Sequence, residues 1–168
     1  ALATPPVIEH GAVPSAGALC LVTPFGTDAT TTAVEQHLDP TRTVAVDAIF
    51  DFTGRLTLMS TPLTSASYRR QAHGILGSGG LPVTLIADSP GFVAQRVLAT
   101  IANISCDIAQ QRIADPADID DAVQLGLGYP AGPLTMGDRI GAPRLLRILE
   151  NLHGVTGDPR YRPSLWLR

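Results

Sequence analysis

The residues that could do chemistry in this 168-residue chain are four histidines, two cysteines, a scatter of aspartates and several glycine-rich turns. His10, His37, His73 and His153 share none of the short spacings, such as H-x-x-x-H, that bring two imidazoles to one metal. His37 and His153 fall near the C-termini of predicted helices, where the helix dipole favours a positive ring. Cys20 and Cys106 lack the spacing of a metal pair and fit a reducing compartment better than a disulfide scaffold. Ser89 lies in Asp-Ser-Pro-Gly without the flanking glycines of a nucleophile elbow, so it reads as a helix cap. Asp118, Asp120 and Asp121 resemble a carboxylate cluster, but on a helix 118 and 121 share a side and 120 does not. Complementation of a helix N-terminus explains them at lower cost. Asp47 and Asp51 bracket a strand end, where α/β folds place ligands, and this signal is weak by itself.

The glycines do not form a nucleotide loop. Gly126, Gly128 and Gly132 are spaced one residue too widely, follow a helix rather than a strand, and enclose Pro130. A dinucleotide loop needs a strand before it and a helix N-terminus after it to meet the pyrophosphate. Gly77, Gly79 and Gly80 lie between a helix and a strand, the wrong order. The residues alone therefore imply no catalytic, cofactor-binding or metal-binding set.

All 12 basic residues are Arg, so a Schiff-base lysine, a P-loop lysine and a lysine general base are excluded. A net charge of −3 argues against a general nucleic-acid binder. Charged residues make up 16% of the chain, below the roughly 25% of ordinary globular chains. Residues 139–168 carry six arginines against Glu150 and Asp158, a block that reads as a solvated face or a partner surface. No stretch reaches the ~20 apolar residues of a spanning helix, and the N-terminus lacks a signal-peptide pattern. A cytoplasmic protein, not a membrane one, is expected. The missing initiator Met suggests an excised piece of a longer chain.

These residues need elements to position them. Residues 1–17 read as a linker rich in Pro, Gly and Ala. Residues 18–87 read as a reduced α/β layer. Its predicted strands are 18–22, 43–50, 56–59 and 82–86, with helices from Thr27 or Asp28 to about His37 and from Thr64 or Ser65 to about Leu76. Residues 88–168 read as all-helical. A helix over 92–113 is apolar on more than one face and is expected to be central, buried on most sides. Asp115-Pro116 opens the next helix as N-cap and N1. Residues 126–132 form a rigid loop, Pro133 opens a short helix ending near Gly141, and Pro143 opens another that stops at Gly154.

Several blocks in the helical part resemble the C-terminal domain of 3-hydroxyacyl-CoA dehydrogenases. Asp88-Ser89-Pro90-Gly91-Phe92-Val93-Ala94-Gln95-Arg96 is similar to that family's D-[ST]-P-G-F-[IV]-x-N-R entry. Ala114-Asp115-Pro116-Ala117-Asp118-Ile119-Asp120 resembles A-x-P-x-D-I-D. Leu125 to Pro133 resembles G-L-G-[YF]-P-x-G-P, and Gly157 to Ser164 resembles G-D-x-R-Y-x-P. In the first part, Met59-Ser60-Thr61-Pro62-Leu63-Thr64-Ser65 is similar to the stretch after the family's catalytic strand. The family's H-F-x-N-P should then fall near Val46–Phe52, where neither the His nor the Asn-Pro is present.

The resemblance implies an α/β reduced Rossmann-like layer followed by an all-α, 6-phosphogluconate-dehydrogenase C-terminal-like domain. It implies the C-terminal portion of a bacterial 3-hydroxybutyryl-CoA dehydrogenase, whose parent oxidises 3-hydroxyacyl-CoA with NAD. It implies no catalytic residue or cofactor in this portion, which lacks the general base and the cofactor loop. A helical domain of the same or another subunit is the implied partner, as in a homodimer. Acyl-CoA, drawn by the arginines of 139–168, is the alternative. Gln95 stands where the family has a substrate-proximal Asn. Its extra methylene would carry the amide elsewhere and remove that contact.

Overall fold

The computed structural model describes residues 13–50 and 54–168. Most of the linker expected over 1–17, and Asp51 and Phe52, lie outside the described residues. The chain divides into two units: 13–24 with 28–89, and 25–27 with 90–168.

The first unit is built on a four-stranded sheet in the order β1-β2-β3-β4. Its strands are β1 (Cys20–Val22), β2 (Thr43–Val46), β3 (Leu56–Ser60) and β4 (Val83–Ile86). β1 and β2 are parallel, joined through helix α1 (Ala29–Glu35). β3 and β4 are parallel, joined through α2 (Ala66–Gly77). β2 and β3 are antiparallel, with Ala45 opposite Met59. All four residues of β2 are buried, and Val44, Val46, Leu56 and Leu58 form a core with Ala72 of α2. This is the apolar, β-branched pattern of an interior strand. β2 ends at Val46 rather than at Phe50, because Asp47 turns its Oδ1 onto the Ile49 N–H at 3.2 Å and starts a local turn. α1 ends at Glu35 rather than at His37, which takes a left-handed φ of 54°.

Buried hydroxyls close the α/β unit. Thr61 Oγ1 donates to the Pro40 carbonyl at 2.8 Å, and Thr64 Oγ1 donates to the Thr43 carbonyl at 2.8 Å. The two hydroxyls lie 3.0 Å apart. They tie the exit of β3 to the entry of β2, which gives the Thr61-Pro62-Leu63-Thr64 block a structural task.

The second unit contains α3 (Val93–Gln110), α4 (Pro116–Leu127), α5 (Pro133–Ile140) and α6 (Ala142–Thr156). α4 runs through Gly126 and ends on a left-handed Gly128, so the expected loop begins two residues later than 126. α6 runs past Gly154 and ends on Gly157, because Gly157 is the residue that takes the left-handed cap conformation.

The largest correction concerns α3. Its buried face is Gln95, Ala99, Ala102, Asn103, Ser105 and Cys106, which is small and polar. Three of its long apolar residues point outward instead, Val93 62%, Val97 45% and Ile104 52% exposed, while Leu98, Ile101 and Ile108 are half-buried. Small residues on the inner face let other helices approach closely: a Cβ on Gly137 of α5 would lie 3.5 Å from the Cβ of Ala102. α3 is therefore not buried on most sides.

Candidate functional site

The helical unit is held together by side chains of the motif residues. Asp120, on α4, reaches the N-terminus of α5. Its Oδ1 accepts the Leu134 N–H at 2.8 Å, and its Oδ2 accepts the Thr135 N–H at 3.0 Å and the Thr135 hydroxyl at 2.7 Å. These are orphan donors at a helix start, and a carboxylate there also meets the positive end of the dipole. Gly132 makes room: a Cβ there would lie 2.1 Å from Asp120 Cγ. Asp120 thus caps a different helix from the one that carries it, whereas Asp118 sits in the first turn of α4. Among the described residues, no group of three His, Cys, Asp or Glu side chains is placed to hold a metal.

Asn103 of α3 is buried and clamps the C-terminal segment. Its Nδ2 donates to the Arg162 carbonyl at 2.9 Å, and its Oδ1 accepts the Ser164 N–H at 2.8 Å. Arg96 donates through Nη2 to the Pro90 carbonyl at 2.6 Å and lies 5.9 Å over the Tyr161 ring. The first and last motif blocks therefore meet through this guanidinium. Cys106 is buried in the packing of α3, and that burial pushes its thiol above its ordinary pKa.

Gln95 is wholly buried, and its Oε1 accepts the Gly26 N–H at 2.8 Å. Its carboxamide is engaged by the chain itself. Ser89 does not cap α3. The N-cap position is Phe92, which makes no side-chain cap bond, and the Ser89 N–H faces Met59 Sδ at 3.1 Å. Asp47 is engaged by Ile49, as described above. His153 Nδ1 lies 3.2 Å from the Asp158 carbonyl in the last turn of α6. His37 and His73 are exposed, and His10 lies outside the described residues. Among the described residues, the sequence-level candidates are thus not gathered into one constellation.

The strand-to-helix turn between β1 and α1 is where a dinucleotide phosphate would sit in an α/β layer. Here two carboxylates hold that helix start. Asp28 Oδ1 accepts the Thr31 N–H at 2.6 Å, and Asp88 accepts the Ala29 N–H at 2.8 Å, the Thr30 N–H at 3.2 Å and the Thr30 hydroxyl. Its donors are used and its local charge is negative, so these residues do not fit a pyrophosphate. Of the two cap candidates Thr27 and Asp28, Asp28 takes the role, and the sequence carries no signal for Asp88, which lies 58 and 59 positions from its partners.

Among the arginines of 139–168, Arg144 lies 5.5 Å over the Phe25 ring, and Arg160 pairs with Asp158 at 2.8 Å. Arg139, Arg147, Arg162 and Arg168 are exposed. Among the described residues no helix is long and apolar enough to cross a membrane.

Residues 91–168 match the family described as 3-hydroxyacyl-CoA dehydrogenase, C-terminal domain. The 3-hydroxyadipyl-CoA dehydrogenase of Escherichia coli (strain K12) is 41% identical over 113 residues, which are 67% of this chain and 24% of that protein. A probable 3-hydroxybutyryl-CoA dehydrogenase of Bacillus subtilis (strain 168) is 41% identical over 83 residues, 49% of this chain and 29% of that protein. The crystal structure of a 3-hydroxybutyryl-CoA dehydrogenase from Escherichia coli K12 superposes with a TM-score of 0.79 at 35% identity, covering 88% of this chain and 30% of that one. The (S)-3-hydroxybutyryl-CoA dehydrogenase of Ralstonia eutropha gives 0.78 at 25% identity, covering 89% and 53%. The chain spans under a third of the length of these two curated relatives. Its helical part, residues 91–168, is a 3-hydroxyacyl-CoA dehydrogenase C-terminal domain, carried behind an α/β layer of the same enzymes' fold.

Proposed function

We propose that the chain is a non-catalytic assembly portion of an NAD-dependent 3-hydroxyacyl-CoA dehydrogenase acting in the cytoplasm. The parent enzyme oxidises the C3 carbinol of a 3-hydroxyacyl-CoA to the 3-oxo form and passes a hydride to NAD⁺. That chemistry needs a base for the hydroxyl proton and a bound nicotinamide. The sequence has no histidine over Val46–Phe52, and carboxylates fill the helix start that a pyrophosphate would need. On this reading base and cofactor are supplied by other parts of the parent. Gln95, in place of a substrate-proximal Asn, has become a structural residue.

The observation that carries the assembly role is the outer face of α3. Val93, Val97 and Ile104 recur at helical spacing and are 62%, 45% and 52% exposed. A continuous apolar stripe on a helix is a face for another helical domain, here that of the same or a second subunit. Sedimentation equilibrium of the chain tests it. Self-association is expected, weakened at least tenfold by Val97→Asp or Ile104→Asp. A strictly monomeric chain that also fails to bind the N-terminal portion of the parent overturns it. The exposed Arg139, Arg147 and Arg162 favour a second reading, residual acyl-CoA binding. Calorimetry with acetoacetyl-CoA decides it, and silence at millimolar ligand removes it.

A further inference from the structure

Phe25–Thr27 lies between β1 and α1 in the sequence, yet it packs as part of the helical unit. Three hydrogen bonds and a ring contact hold it there. The Gly26 N–H donates to Gln95 Oε1 at 2.8 Å, Asn151 Nδ2 donates to the Phe25 carbonyl at 2.8 Å, and the Gly91 N–H donates to the Thr27 carbonyl at 3.0 Å. Arg144 lies over the Phe25 ring. Gly26 sits directly on the backbone of α6 with a φ of +77°. A Cβ there would come within 2.7 Å of Ile148 Cα and of the Ile148 carbonyl oxygen. Glycine is required on both counts, conformation and space.

This segment reaches a strained part of the fold. Phe92, the residue before α3, has a φ of 40° and a ψ of −171° while its ring is buried. Such a backbone is close to glycine-only territory and persists where the surroundings over-determine it. Phe92 has no side-chain cap to offer α3. The adjacent Gly91 is tied to Thr27, and Gln95, one turn into the helix, is tied to Gly26. Both ends of the strained entry turn are therefore fastened to the same three residues.

We propose that Phe25–Gly26–Thr27 is a strap that locks the strained entry turn of α3, with Gln95 as its latch. Strap and entry turn form one two-state element. When the latch is broken, Gly26 leaves α6, Thr27 releases Gly91, and the Gly91–Phe92 backbone relaxes. The lock operates within a single copy, so it stands or falls separately from self-association.

Residue-resolved amide hydrogen exchange on the whole chain tests it. In Gln95→Leu, exchange at Gly26 and at Gly91 is expected to rise together by at least tenfold, while the β2 and β3 amides of Val44 and Leu58 keep their protection. A rise at Gly26 with Gly91 unchanged shows two unrelated hydrogen bonds and overturns the proposal, as does no change at either. Should the buried Gln95 substitution fail to fold, Asn151→Ala attacks the strap from the Phe25 carbonyl on a half-buried position. The same joint rise is expected there, and its absence counts equally against the lock.

Discussion

The sheet of the α/β unit and helix α3 of the helical unit divide polar and apolar side chains in opposite ways. In the α/β unit the apolar residues Val44, Val46, Leu56 and Leu58 line the core, and the buried hydroxyls of Thr61 and Thr64 only close a turn. In the helical unit α3 turns Gln95, Asn103 and Ser105 inward and Val93, Val97 and Ile104 outward. The physical reason lies in how backbone groups are satisfied. A sheet joins its strands by ladder hydrogen bonds between backbones, so side chains are left to pack. Helices satisfy their interior backbone groups themselves, so a link from the middle of a helix to a non-helical segment comes from a side chain. The helical unit therefore packs on Leu145, Ile148, Leu149 and Leu152 of α6, while carboxamides and carboxylates of α3 and α4 make its links to helix starts and loops.

This contrast can be broken by mutation. The largest effect is expected at Gly132→Ala, which drives a Cβ into the Asp120 carboxylate and uncaps α5. Overpacking plus a lost cap should cost about 3 kcal/mol in urea unfolding of the helical unit. Asn103→Ala comes next. It leaves the buried Ser164 N–H without its acceptor, and about 2 kcal/mol is expected. In the α/β unit Thr64→Val removes one hydroxyl from a network that keeps Thr61, and about 1 kcal/mol is expected. A Thr64→Val cost equal to that of Asn103→Ala would erase the distinction between the units. Val97→Asp should change the stability of a single copy by less than about 0.5 kcal/mol, since it lies on the exposed face. A larger loss measured under monomeric conditions would show that the stripe belongs to the unit's own core.

The smallest effect concerns pH. The Arg160 backbone N–H, and then its side chain, hold the half-buried Asp158 carboxyl below its ordinary value of 3.8. A lowered carboxyl contributes stability that is complete above the ordinary value and is lost as pH falls through its own lower one. The Arg160 amide resonance should therefore stay constant from pH 7 to about 4.5 and move only below about 3.8. Movement well above 3.8 would show that Arg160 does not hold this carboxyl down.

Much of this was legible in the residues. The element order, a cap at Thr27 or Asp28, Asp115 as an N-cap position, proline at the first positions of α4 and α5, and the motif blocks of the helical domain all follow from neighbours a few positions apart. The inward face of α3 was not. Hydropathy counted its valines and isoleucines as core, because a periodic pattern shows that a stripe exists and not which side of the helix its own unit covers. Gly154 was mistaken for a stop because composition does not reveal which glycine takes the left-handed conformation; Gly157 does.

The sequence by itself determined the elements and their caps, since those are set by φ/ψ preference and hydrogen bonds within about a turn. It also determined the absence of a lysine, and of a histidine over Val46–Phe52. Tertiary structure alone decided the uses of Asp120, Gln95 and Asn151. Their partners lie 14, 69 and 126 positions away in the chain. A carboxylate or carboxamide meets such a partner only after packing has excluded water around both, and that exclusion is a property of the folded unit rather than of any local stretch of sequence.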